Sequence, residues 1–169
     1  MTPTFWISAV GLDRPGLVAE LTGALADLGA NIEDAAMSRF RDWFAIMLLV
    51  TGDASLDQAL SAGEWPEDLV LTVRPVVAGE STAPAAATHR LSVYGADRPG
   101  IVAEATRLLA ERGFNIIDLE VEVMRRDDEA LFVMVLDFAA DDDPTGIDAA
   151  LSERIGLDVH LVALDAVAL

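Results

Sequence analysis

The chain contains its own repeat, and the repeat limits the folds open to it. Val10-Gly11-Leu12-Asp13-Arg14-Pro15-Gly16-Leu17-Val18-Ala19-Glu20 recurs as Tyr94-Gly95-Ala96-Asp97-Arg98-Pro99-Gly100-Ile101-Val102-Ala103-Glu104, with eight of eleven positions identical at an offset of 84. Gly29, Asn31, Ile32 and Asp34 return at the same offset as Gly113, Asn115, Ile116 and Asp118. Over residues 10–34, fifteen of twenty-five positions agree without a gap. Further on, a short insertion near Arg125–Glu129 separates the copies, and Phe44–Val50 then aligns with Leu131–Asp137. Units of this size are too long for solenoid repeats and fit a duplicated small domain. We expect domains at 1–77 and 89–169. Residues 78–88 are rich in Gly, Pro, Ser and Ala without periodicity and read as a linker.

Each unit carries the same order of elements. Phe5–Val10 and Arg90–Tyr94 read as strands, being β-branched or aromatic and ending at Gly. A turn, Asp-Arg-Pro-Gly, leads into a helix. Leu17, Leu21, Leu25 and Leu28 form one helical stripe, as do Ile101, Ala105, Leu108 and Leu109. Asp at the start, Pro in the first turn and Gly29 or Gly113 at the end are start and stop signals. Ile117, Leu119, Val121 and Val123 alternate with acidic residues, which predicts a strand with one buried and one wet face. Phe44–Thr51 and Leu131–Ala139 are more apolar and predict central strands. Second helices are expected at Ser55–Leu60 and Thr145–Ile155, and closing strands at Leu69–Val77 and Asp158–Ala163. The order β-α-β-β-α-β, twice, defines an α+β chain of two ferredoxin-like domains. Each would be an antiparallel four-stranded sheet with both helices on one face.

A strand ending in Gly-x-Asp-Arg-Pro-Gly, a helix, then Gly-x-Asn-Ile entering a second strand resembles the ACT domain, and both copies carry the pattern. The resemblance implies regulatory βαββαβ modules that bind amino acids between paired domains. The ligand would touch the strand–helix loop of one domain and the second strand of the other. Carried over, the loop residues are Asp13, Gly16 and Leu17, or Asp97, Gly100 and Ile101. The strand residues are Asn31 and Ile32, or Asn115 and Ile116. The chemistry of these types is consistent with that role. A helix start offers free N–H groups and a positive dipole end to a carboxylate. Glycine lets a ligand approach the backbone. An Asn amide both donates and accepts. The same residues also suit a purely structural role, with Asp capping the helix, Pro opening it, Gly making a turn and Asn following a C-cap. The copies differ at Leu12/Ala96, Ala30/Phe114 and Glu33/Ile117, so identical binding at both is not expected.

Charge decides among partners. With 11 Lys+Arg against 29 Asp+Glu, the formal net charge is −18, which argues against contact with a phosphate backbone or an anionic membrane. Cysteine is absent, excluding disulfides and thiolate chemistry. His89 and His160 are isolated, and no metal site or cofactor is expected. Asp141-Asp142-Asp143 reads as a solvated loop with helix capping, and Arg125–Glu129 as a polar hairpin tip. Trp6, Trp43 and Trp65 are assigned to packing. Neither a catalytic triad nor a nucleotide-binding glycine motif is found. No signal peptide is seen, and a cytoplasmic location is expected.

A tandem pair of this length is similar to the glycine cleavage system transcriptional repressor family, whose members act through a partner transcription factor. That resemblance implies a non-enzymatic regulator of glycine and one-carbon metabolism with glycine or serine as ligand and a regulatory protein partner. A ligand-independent dimerisation or interaction module is the alternative. ACT-like units also sit beside catalytic domains, as in formyltetrahydrofolate deformylases, but little sequence is left here for one. With 53% hydrophobic residues in two small domains, a homodimer is expected.

Overall fold

The computed structural model describes residues 2–77, 86–126 and 129–164; side-chain environments are described except at 126 and 129. The chain divides into two compact units, residues 1–81 and 82–169. Residues 78–85 of the expected linker and 127–128 of the expected hairpin tip lie outside the described residues.

Unit 1 runs β1 (Thr4–Leu12), α1 (Leu17–Asp27), β2 (Asn31–Phe40), β3 (Trp43–Thr51), α2 (Leu56–Ser61) and β4 (Val70–Pro75). Unit 2 runs β5 (His89–Ala96), α3 (Ile101–Glu111), β6 (Asn115–Arg126), β7 (Glu129–Ala139), α4 (Ile147–Ile155) and β8 (Asp158–Ala163). The sheet orders are β2-β3-β1-β4 and β6-β7-β5-β8, with every described pairing antiparallel. This is the ferredoxin-like arrangement expected, with β2 and β6 as edges and β3 and β7 inside.

Alternation along the strands builds one core per unit. Phe5, Ile7 and Ala9 of β1 and Phe44, Ile46, Leu48 and Val50 of β3 meet Leu17, Leu21 and Leu25 of α1 and Leu56 and Leu60 of α2. In unit 2, Leu91 and Val93 with Phe132, Met134, Leu136 and Phe138 meet α3 and α4 through Ile101, Ala105, Leu108, Ile147 and Leu151. A bulge at Glu33 and another at Ile117 interrupt the edge-strand registers at equivalent positions. The helix ends are also equivalent. Gly29 N–H bonds to Ala26 C=O and Ala30 N–H to Leu25 C=O, and Gly113 and Phe114 repeat both bonds onto Ala110 and Leu109. Each is a Schellman closure, with the glycine in the left-handed conformation.

Four expectations are corrected. Phe44 lies across from Gly11 and Phe132 across from Gly95, so Phe44–Val50 corresponds to Phe132–Phe138 and not to Leu131–Asp137; the insertion before β7 is one residue longer than the alignment allows. Leu28 is the C-cap of α1 and is 40% exposed, because the helix stops before that stripe position can reach the core. Pro15 and Pro99 precede the N-caps Gly16 and Gly100, so neither lies inside the first turn. Leu119, Val121 and Val123 do not form a buried face. They pair with buried Leu136, Met134 and Phe132 and share their helix-side face, yet remain exposed. An edge strand has a neighbour on one side only, so its apolar row lacks half the cover that shields the central strand.

Candidate functional site

The strand–helix loop has one geometry, built twice. Gly16 has φ 95° and ψ −15°, and Gly100 has φ 97° and ψ −10°. Only glycine adopts this region without strain. A Cβ at either position would meet nothing within 4 Å, so the requirement is conformational and the space beside the loop is open. No side chain caps α1 or α3. The Leu17 N–H donates to the Arg14 carbonyl at 3.4 Å, and no side chain accepts from the first turns. The Leu17 and Ile101 side chains are buried in the cores, so what they present at the loop is backbone.

Asp13 does not cap α1. Its backbone N–H donates to the Asp42 carbonyl at 2.8 Å, and its carboxylate accepts from Arg39 Nε at 2.7 Å. Arg14 pairs with Glu20 at 2.8 Å. Arg39 stands on β2 directly across from Phe44, whose other strand neighbour is Gly11, and so reaches the loop from the helix side of the sheet. Between loop, α1 and β2 lies a pocket of about 470 Å³, walled by Leu17, Val18, Met37 and Phe44 and flanked by Asp13 and Arg39. Arg39 was not among the residues picked out by the repeat. Its only sequence signal is a cation at a helix-side position of an edge strand, at a site where the copies differ.

In unit 2 the same loop is wired differently. Arg98 Nη2 donates to the Ile155 carbonyl at 2.6 Å, satisfying the end of α4. Across from Phe132, where Arg39 would stand, is Val123.

Asn31 and Ile32 lie at the opposite end of β2 from Arg39. Asn31 pairs with Thr51 and borders a shallow depression of about 790 Å³ with Gly52 and Asp53. Eight residues of strand separate Asn31 from Arg39, roughly 26 Å at the usual rise. Within unit 1 the structure therefore brings Asp13, Gly16 and Leu17 together and leaves Asn31 and Ile32 apart. Unit 2 repeats this, with Asp97, Gly100 and Ile101 at one end of the sheet and Asn115 and Ile116 beside Ala139 and Phe138 at the other. Exposed Asn31 and Asn115 begin their strands and take no part in the helix caps.

The remaining polar candidates have structural partners. Asp143 Oδ1 accepts from the Thr145 hydroxyl at 2.6 Å and its N–H at 2.9 Å, and these bonds hold its carboxyl below the usual value. Asp53 is lowered likewise by the backbone and hydroxyl of Ser55. Trp65 donates Nε1–H to the Leu60 carbonyl at 2.7 Å and packs on the unit 1 core. His89 stacks on Phe138 at 5.6 Å. Among the described residues no group of three His, Asp or Glu is placed to hold a metal, and no helix is long and apolar enough to cross a membrane.

Two ferredoxin-like units, each with a glycine-opened strand–helix loop, define the class: a tandem of small α+β domains. Sequence profiles of the ACT domain match residues 4–64 and 89–155, and the chain belongs to the ACT-domain proteins. The glycine cleavage system transcriptional repressor of Escherichia coli is 26% identical over 152 residues, covering 88% of this chain and 79% of its own. A UPF0237 protein of Methanopyrus kandleri is 41% identical over 64 residues, 37% of this chain and 67% of its own. Among solved structures, an unknown protein from Galdieria sulphuraria superposes with TM-score 0.76 at 27% identity, covering 97% of this chain and 99% of that one. A putative glycine cleavage system transcriptional repressor shares the fold with TM-score 0.70 at 19% identity, over 97% and 98% of the chains.

Proposed function

We propose that this chain is a non-catalytic cytoplasmic regulator that binds a small amino acid, glycine or serine, and thereby controls a protein partner, a transcription factor of glycine or one-carbon metabolism. The observation that carries this reading is the loop built twice, with Gly16 and Gly100 within a few degrees of each other and uncapped helix starts beside them. Asp13, Gly16 and Leu17 would meet Asn31 and Ile32 of a paired domain, or Asn115 and Ile116. Asp97, Gly100 and Ile101 would do the same. The spacing within each unit supports drawing the two sets from different domains, since one small ligand cannot span roughly 26 Å. The domains are taken as 1–77 and 89–169, joined by residues 78–88.

Similarity to the Escherichia coli repressor over most of both chains supports the regulatory role. The charge of −18 supports action through a protein rather than on DNA directly. Ligand control then means that the amino acid favours one packing of the domains by its differential affinity for the two states.

The test is a thermal-shift screen of the twenty amino acids at millimolar concentration, followed by calorimetry. Binding to the native state raises stability by about 2.7 kcal/mol at a hundredfold excess over Kd. A selective shift by glycine or serine, abolished by joint Gly16→Ala and Gly100→Ala substitution, is the expected result. A flat profile would reject it.

A second reading, a ligand-independent interaction module, is favoured by a separate observation. The sheet face of unit 1 away from its helices carries Val10, Leu12, Phe40, Trp43, Met47 and Val70, all exposed. Its paired strands carry few charges, Asp34 and Arg74, for a chain of net charge −18, which fits association with a second copy. Under this reading, self-association and partner binding persist without any amino acid.

A further inference from the structure

We infer that in unit 1 the Asp13–Arg39 ion pair is the recognition element for the main chain of a free amino acid. The carboxylate docks on Arg39, the ammonium on Asp13, and unit 2 lacks this clasp. The inference rests on the amino-acid-binding reading above and adds the residue that distinguishes the two copies.

Arg39 and Asp13 stand at the mouth of the pocket, 2.7 Å apart, with side chains 66% and 30% exposed. An exposed ion pair contributes little to stability, so parting it costs little. An α-amino acid carries one anion and one cation a single carbon apart. It can insert between the two side chains and exchange one salt bridge for two. Arg39 presents a planar fork that matches a carboxylate at two oxygens. The uncapped start of α1 adds donors on the same side. Exposed Val18 and Met37 offer apolar surface to whatever side chain the amino acid has, above the buried Leu17 and Phe44. The position of Arg39 is Val123 in unit 2, and the loop arginine Arg98 is committed to the α4 carbonyl of Ile155. A molecule with only one of the two groups, and therefore a net charge, gains half of the clasp.

Calorimetry on the full chain tests this with glycine, L-serine and L-leucine as probes. Ethanolamine, without a carboxylate, and glycolate, without an ammonium, serve as half-ligands. The expected result is unequal binding with one tight site per chain, at least tenfold weaker binding of both half-ligands at that site, and at least tenfold loss there in Arg39→Val. Arg39→Lys, which keeps the charge and loses the fork, should fall between. Asp13→Asn, nearly isosteric, should lose affinity by the same order, which guards against a folding artefact in the valine variant. Val123→Ala should bind as the wild type does. Binding of a probe by Arg39→Val within twofold of wild type, or two equal sites per chain, would overturn the clasp and leave the amino-acid reading intact. Failure of the wild-type chain to bind any of the three probes overturns the clasp. The amino-acid reading falls only if the screen of all twenty is also flat.

Discussion

Across the sheet from Phe44, unit 1 places Arg39; across from Phe132, unit 2 places Val123. Met37 is matched by Val121, and Phe40 by Met124. The loop facing these positions is nevertheless the same in both, down to the backbone angles of Gly16 and Gly100. The helix closures at Gly29 and Gly113 are also the same. Duplication has kept the parts that set the backbone and changed the side chains that look onto the loop. The outer sheet faces diverge in the same sense. Unit 1 exposes an apolar surface on which Asp34 and Arg74 are the charges. Unit 2 carries Tyr94, Val133 and Val135 there too, but sets them among Asp118, Glu120, Glu122 and the Arg90–Asp137 pair. The shared features are consistent with one fold, and the divergent ones with two different tasks.

The cores differ by an exchange of volume. Phe5, Ala30 and Val50 of unit 1 correspond to His89, Phe114 and Phe138 of unit 2. Phe138 is fully buried between His89 and Phe114, at 5.6 and 5.4 Å. Phe138→Ala should cost unit 2 about 3–5 kcal/mol, since neighbours fill such a cavity only partly. All three tryptophans, Trp6, Trp43 and Trp65, lie in unit 1, and the single tyrosine, Tyr94, lies in unit 2. In urea, tryptophan fluorescence should keep its midpoint while tyrosine fluorescence and circular dichroism report an earlier transition. A tryptophan midpoint that moves equally would show that the units unfold as one, and the comparison between them would lose its energetic meaning.

The shared loop predicts equal costs. Gly16→Ala and Gly100→Ala each place a Cβ in open space but force a left-handed alanine. Each should destabilise its own unit by about 1–2 kcal/mol. The same unit-specific midpoints measure both. Unequal losses beyond about 1 kcal/mol would mean that one loop already bears a strain or a contact the other lacks.

The charged face of unit 2 predicts a smaller, pH-dependent effect. Arg90 donates Nε–H and Nη2–H to Asp137 at 2.7 Å each, within the field of Glu120 and Asp118. The bond from Arg90 holds the Asp137 carboxyl below the usual range, and the same bond raises the Arg90 guanidinium. A depressed acid contributes stability above its unfolded pKa of about 3.9, and that contribution is lost as pH falls through the lower folded value. Arg90→Ala should therefore destabilise unit 2 slightly at neutral pH. The variant and wild type should converge in strong acid, once Asp137 is protonated in both. Urea midpoints of unit 2 at pH 7 and pH 2.5 check the sign. A gap that widens in acid would contradict it.

Most of the fold was legible because repeat and periodicity both act locally. Leu17, Leu21 and Leu25, and Ile101, Ala105 and Leu108, fell where helical spacing put them. The misreadings came from cover, which is not local. Leu119, Val121 and Val123 alternate as a buried row should, but an edge strand has no neighbour to complete the burial. Leu28 keeps the stripe and misses the core because the chain turns first at Gly29. The site was half legible. Asp13 and Gly16 stand in the repeated motif, so comparing the copies finds them. Arg39 appears only where the copies disagree, and its partner is 26 positions away in sequence and meets it through strand register. Looking for sameness finds the scaffold and passes over the side chains that changed.

The outer faces give the smallest effect on stability and the most direct reading of the difference between units. Met47 is 55% exposed on unit 1's open face and Val162 is 56% exposed on unit 2's. Replacing either by Glu touches no buried packing, so each should change the unfolding free energy by no more than about 0.5 kcal/mol. Their effects on association should separate. A twofold pair of identical chains brings the same patch against itself, so one new carboxylate on the contact face is repeated by the copy opposite. Met47→Glu should therefore dissociate a dimer formed through the apolar face, as read by sedimentation velocity at low salt, where screening is weakest. Val162→Glu adds one more acid to a face already holding Asp118, Glu120 and Glu122, and should leave the sedimentation coefficient unchanged. If Val162→Glu dissociates the chain and Met47→Glu does not, self-association belongs to the charged unit, and the apolar face of unit 1 must be assigned to a different occupant.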